Sequence, residues 1–200
     1  MASSDNKADT RQMIMNAAQA VVQAQGYNAL SFRELAKEVG VKSSSIHYHF
    51  PTKGDLGAAL AQRYTDDAAA LMAGLLASGA DTDSCARQYT AAFRAALEND
   101  NRMCLCGILN AEHDALPPQV RTEVDRFTQV NVAWLSALLA RDAPGASAEA
   151  LEQKALAIFG AIGGAQVVAR GRSDISLFDR SIEAYRQAGL LPSAPGAGLA

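Results

Sequence analysis

Apolar residues recur along this chain at three- and four-residue intervals, the spacing that collects them on one face of an α-helix. Ile14, Ala17, Ala18, Val21 and Val22 mark a first helix over residues 9–25, and Gly26 ends it. Ser31-Phe32-Arg33-Glu34 has the form of a capping box, in which the serine hydroxyl accepts from the amide three residues on and the glutamate reaches back. It predicts a second helix of about two turns, with Phe32, Leu35, Ala36 and Val39 inward and Gly40 as the positive-φ stop. Val41 plugs the turn, Ile46 and Phe50 supply a sparse inner face, and Pro51 cannot continue a helix, which brackets a third short helix between Lys42 and His49.

Thr52 is an N-cap for a longer fourth helix through Leu56, Leu60, Tyr64, Leu71 and Leu75, broken at residues 78–81. Cys85, Tyr89, Ala92, Phe93, Ala96 and Leu97 mark a fifth, and residues 103–114 a shorter sixth. Pro117 and Pro118 start a seventh, with Val120, Val124, Phe127, Val130, Trp134 and Leu138 as its buried stripe. After the loop at residues 143–147, helices are expected over 147–170, with Leu151, Ala155, Ile158, Phe159 and Ile162 inward, and over 175–188, with Phe178, Ile182 and Tyr185. A Pro/Gly/Ala-rich tail over 191–200 is expected to fray. Ala is abundant and alternating apolar runs are rare, so the fold class is all-α.

Composition adds limits. The chain has 200 residues, 49% apolar and 20% charged, a globular balance that suits one domain or a small one fused to a larger. No apolar run approaches the roughly 18 residues of a membrane span, and Met1–Thr10 lacks a secretory pattern, so a cytoplasmic, non-membrane protein is expected. Cys85, Cys104 and Cys106 are odd in number and lack framework spacing, which predicts reduced thiols.

Charge is divided by region. The net charge is −3, yet residues 1–63 hold seven Lys/Arg against five Asp/Glu, and the remainder holds eleven against sixteen. Residues 42–53 contain no acid and two of the three histidines. Two short helices joined across a Gly turn are the arrangement that sends a recognition helix into the major groove. Lys42, Ser43, Ser44 and Ser45 are small or cationic groups that reach phosphates or base edges, and His47, Tyr48, His49 and Lys53 are longer donors to the flanking backbone. Arg33 is the one guanidinium within residues 12–62 and suits bidentate pairing to guanine. Ser31 joins these as a further candidate contact.

Residues 10–56, from Thr10-Arg11 through Leu30-Ser31-Phe32-Arg33-Glu34-Leu35-Ala36, Val39-Gly40-Val41 and Ile46-His47-Tyr48-His49-Phe50-Pro51-Thr52-Lys53, resemble the DNA-binding domain of TetR-family transcriptional regulators. His47 stands where that family most often has a tyrosine. The resemblance implies an N-terminal three-helix helix-turn-helix domain over 9–54 and a larger C-terminal helical domain over 55–190 for ligand binding and dimerisation. It further implies a homodimer paired through the last two long helices, for which Gly160, Ala161, Gly163, Gly164 and Ala165 are suitably small. The function implied is that of a ligand-responsive regulator, a repressor that leaves a palindromic double-stranded operator when a small-molecule effector binds.

Candidates for effector contact are Phe93, Cys104, Ile108, His113, Phe127, Trp134, Phe159 and Gln166. Helical spacing equally makes the aromatic members core residues. Two other readings stay open. Cys104, beside Arg102 at a helix start, could be a redox or electrophile-sensing thiol on the same scaffold. A helical small-molecule carrier or enzyme is the other, against which stands the lack of a Gly-rich phosphate loop, a nucleophile elbow or a His-Glu-x-x-His motif. No catalytic residue or cofactor is expected, and Glu112-His113-Asp114 lacks zinc-ligand spacing, so no metal is expected either.

Overall fold

Nine α-helices and no strand make up the described residues, 2–193 with side chains from Asp9 onward, of the computed structural model. They are α1 (Ala2–Gln25), α2 (Phe32–Val39), α3 (Ser43–His49), α4 (Lys53–Ala77), α5 (Thr82–Glu98), α6 (Leu105–Ala111), α7 (Pro118–Ala140), α8 (Ala148–Arg172) and α9 (Ile175–Gln187). Single 3-10 turns stand at Tyr27–Ala29 and His113–Ala115.

The differences from the sequence reading lie at the ends of elements. α1 begins upstream of Asp9, over a polar stretch with no apolar periodicity to mark it. α6 is shorter than residues 103–114, because Cys104 is still extended (φ −49°, ψ 130°) and Glu112 breaks the helix before the 3-10 turn. Leu191, where the tail is expected to begin, is buried, and its amide donates to the Tyr185 carbonyl. Residues 194–200 of that tail lie outside the described residues.

The chain packs as two compact units, each built from two stretches of sequence. The first takes the described residues up to Thr65 together with Cys104–Phe127. Here α1 packs against α2, α3 and α6. Ile14, Met15, Ala18 and Val22 of α1 are buried with Leu35 and Ile46 of the two short helices, Leu56 and Leu60 of α4, and Leu105 and Leu109 of α6. Arg63 ties α4 to α1 through Asn16 at 3.0 Å and Gln19 at 2.6 Å.

The second unit takes Asp66–Met103 and the described residues from Thr128 onward. α5, α8 and α9 pack on one another. Tyr89, Phe93, Trp134, Leu138, Ile158, Ile162 and Phe178 are buried there. Three polar side chains in this core are bonded, as a dry interior favours. Tyr89 donates its hydroxyl to Asn131 at 2.7 Å, the Trp134 indole donates to the Met72 carbonyl at 2.7 Å, and Gln166 donates to the Phe93 carbonyl at 2.8 Å.

Candidate nucleic-acid interface

Local chemistry sets the geometry of the two short helices. Ser31 is extended and accepts from the Glu34 amide at 3.5 Å, which starts α2. The reciprocal half of the expected capping box is not formed. Glu34 turns outward, taking Lys37 at 3.0 Å and Arg33 at 3.2 Å, and these cations, Lys37 foremost, hold its carboxyl below the usual range. A complete reciprocal box stands instead at the head of α4. There Thr52 Oγ1 accepts from the Asp55 amide at 3.1 Å, and the Asp55 carboxylate accepts from the Thr52 amide at 2.9 Å. Between the short helices Gly40 adopts the left-handed conformation (φ 76°), and the Val41 amide closes on the Ala36 carbonyl at 2.9 Å. Only glycine reaches that φ without a Cβ penalty, so the angle between α2 and α3 depends on it.

α3 is anchored from beneath. Ile46 and Phe50 are buried, and the Arg11 guanidinium of α1 lies 5.0 Å from the centroid of the Phe50 ring. The opposite face is open: Lys42, Ser43, Ser44, His47 and Tyr48 are exposed, Tyr48 to 66%, while Ser45 and His49 are half-buried. Ser31 is half-buried beside its cap, and the Arg33 side chain is 81% exposed on α2. His47 turns one edge toward α2, with its ring 4.9 Å from that of Phe32. Lys53 is half-buried: its Nζ donates to the Asn28 carbonyl at 3.2 Å and stands 4.5 Å over the Tyr27 ring. Burial pulls that ammonium below its usual range, and the charge of Glu112 pushes it back up. The sequence reading did not single out Tyr27 or Glu112 as partners of this surface, because they meet through a contact between distant segments, nor Asp55, whose signal was the local Thr52-x-x-Asp55 spacing.

The eight effector candidates divide between the units. Cys104, Ile108, His113 and Phe127 belong to the first, where the Phe127 ring lies 5.6 Å from that of Tyr64. Phe93, Trp134, Phe159 and Gln166 belong to the second, where Tyr89 stacks on Trp134 at 4.9 Å and meets Phe93 at 5.2 Å. Cys104 and Cys106 are buried, and desolvation pushes both thiols up, Cys106 far up. A reactive sensor thiol needs the opposite environment, exposed and electropositive. Among the described residues no group of three or more His, Cys, Asp and Glu side chains is placed to hold a metal ion. No helix among them is long and apolar enough to cross a membrane.

Comparison with known proteins agrees with this reader. Residues 14–60 match the family of bacterial regulatory proteins of the tetR type. A comparison with curated protein sequences returns no match. Among solved structures, a TetR transcriptional regulator from Legionella pneumophila is 28% identical with a TM-score of 0.82, over 88% of this chain and 95% of that one. A TetR-family regulator from Agrobacterium tumefaciens is 26% identical with a TM-score of 0.84, over 94% of this chain and 100% of that one. The regulatory protein TetR from Rhodobacter sphaeroides is 22% identical with a TM-score of 0.77, over 87% of this chain and 95% of that one, a likeness of fold. A helix-turn-helix built on a capped α2, a left-handed Gly40 and an outward-facing α3 makes residues 14–60 a DNA-binding domain of the TetR type, within a helical chain similar along nearly its whole length to TetR-family transcriptional regulators.

Proposed function

We propose that this protein is a transcriptional repressor that binds a palindromic operator as a homodimer and is released by a small-molecule effector. The observation that carries the reading is the acid-free outer face of α3, where Lys42, Ser43, Ser44 and Tyr48 are exposed while Ile46 and Phe50 pin the helix from below. Short donors at the start of such a helix reach base edges and phosphates without steric cost. A helix of seven residues offers few contacts by itself, and two copies placed on half-sites about 34–36 Å apart double them. DNA as the partner puts the site of action in the cytoplasm.

Support for pairing comes from α8. Leu156, Gly160, Gly164, Val167 and Gly171 recur along it at helical spacing, and all are exposed in the single chain. An apolar, small-residue stripe on a surface helix favours close approach by another helix, and the resemblance to the family names the last two helices as the pairing elements. In the second unit, the buried cluster of Phe93, Trp134 and Gln166 with Tyr89 is what we assign to effector contact.

Selection from a pool of random duplexes at moderate salt tests the reading. The purified protein should enrich an inverted repeat and bind it with two chains per site, and Leu156→Asp should leave a monomer that binds far more weakly. Recovery of no motif overturns the proposal.

A further inference from the structure

The turn between α1 and α2 is held by a residue far along the chain. Gly26 lies at φ 88°, ψ 172°, a region open to glycine alone, and a methyl group on its Cα would overlap the Glu112 carboxylate. The missing side chain lets that carboxylate lie directly against the backbone. Its Oε2 accepts from the Tyr27 amide at 2.7 Å, across 85 residues of sequence, a short charge-assisted bond. The Tyr27 amide opens a 3-10 turn, so it has no acceptor within its own helix. On the other side stands Lys53, the first residue of α4, over the Tyr27 ring and bonded to Asn28, with the Glu112 charge favouring its protonated form. Glu112 is itself held at the corner where α6 ends and the His113–Ala115 turn begins.

We propose that Glu112 is a positioning residue for DNA binding: it latches the α6 corner to the α1–α2 turn, which Lys53 in turn ties to the head of α4, so that operator affinity depends on a carboxylate that touches no DNA. The inference rests on the DNA-reading function proposed above and extends it. The turn at Gly26–Leu30 leads straight into Ser31, the cap of α2, so freedom at Tyr27 passes to the entry of the helix-turn-helix. Lys53 is committed to the Tyr27 ring and the Asn28 carbonyl, which makes it a strut of the reader.

The test compares wild type, Glu112→Ala and Glu112→Gln. Tyr27 amide hydrogen exchange is measured without DNA, and affinity for the selected duplex is measured across a salt series. Glu112→Ala should expose the Tyr27 amide to exchange and weaken binding about tenfold, with an unchanged slope of log K against log salt because no phosphate contact is lost. Glu112→Gln keeps an acceptor oxygen and should recover most of the protection and part of the affinity. Unchanged Tyr27 exchange in Glu112→Ala overturns the latch whether or not a duplex is selected. Wild-type affinity in Glu112→Ala overturns its role in DNA binding, as does a loss matched by the fraction of unfolded chain. A shallower salt slope in Glu112→Ala, or a Gln variant no better than Ala, also overturns it. Wild type that selects no duplex overturns the DNA-reading proposal instead, and the exchange result still decides the latch.

Discussion

His47 stands edge-on to Phe32, ring centroids 4.9 Å apart at 68°, with its Nδ1 3.4 Å from the Pro51 carbonyl oxygen. The residue that departs from the family's usual tyrosine therefore braces α3 against α2 while its outer edge stays exposed. An edge-to-face aromatic contact contributes about 0.5–1.5 kcal/mol beyond area burial. His47→Ala should lose that much stability in urea unfolding, with a salt slope of DNA binding equal to wild type. A variant as stable as wild type would show that the contact is idle.

Lys42 and Tyr48 are predicted to act on DNA and not on stability, since both side chains stand out from the surface. Lys42→Ala should weaken binding to all duplexes alike and reduce the salt slope by about one. Tyr48→Ala should leave the slope as it is. Melting temperatures of both should match wild type, and a drop of several degrees would mean that these side chains pack.

Gly26→Ala combines a forbidden backbone conformation with displacement of Glu112. The strain alone costs about 1–3 kcal/mol, so the urea midpoint should fall clearly. Gly79→Ala, also at positive φ (73°) but with nothing near the added methyl, should fall less. Equal effects would place the whole cost in the backbone and none in the carboxylate.

Cys85, Cys104 and Cys106 are all buried, and desolvation holds Cys104 and Cys106 as neutral thiols. An aromatic disulfide reagent at pH 8 should label the folded protein slowly and all three cysteines at once in denaturant. Rapid labelling of Cys104 in the folded protein would restore the sensor reading.

Trp134 is the chain's single tryptophan, stacked on Tyr89 and bonded to Met72 inside the second unit. Its emission should be blue-shifted when folded and move to the red only when that unit opens. Removal of the indole donor in Trp134→Phe should cost about 0.5–1.5 kcal/mol. A red-shifted native spectrum would contradict the burial.

Much of the reader was legible in the chain because its signals are local. Gly40 announced its positive φ, Pro51 closed α3, and the spacing of Ile46 and Phe50 named the buried side of a helix whose other side is open. Capping was less legible: Ser31-x-x-Glu34 has the motif but its glutamate pairs with two neighbouring cations, whereas in Thr52-x-x-Asp55 the carboxylate turns back to the Thr52 amide and hydroxyl and the box closes fully.

Periodicity by itself determined the helices, since an amphipathic helix needs only its own residues to show which side it buries. Tertiary structure alone decided what the exposed and semi-exposed polar groups do. It turned Lys53 inward to Tyr27 and Asn28, and His47 toward Phe32. It brought Glu112 to the Tyr27 amide across 85 residues. The physical reason is range: periodicity and capping act within a few residues, while a carboxylate and an amide from distant segments meet only after the apolar faces between them have packed.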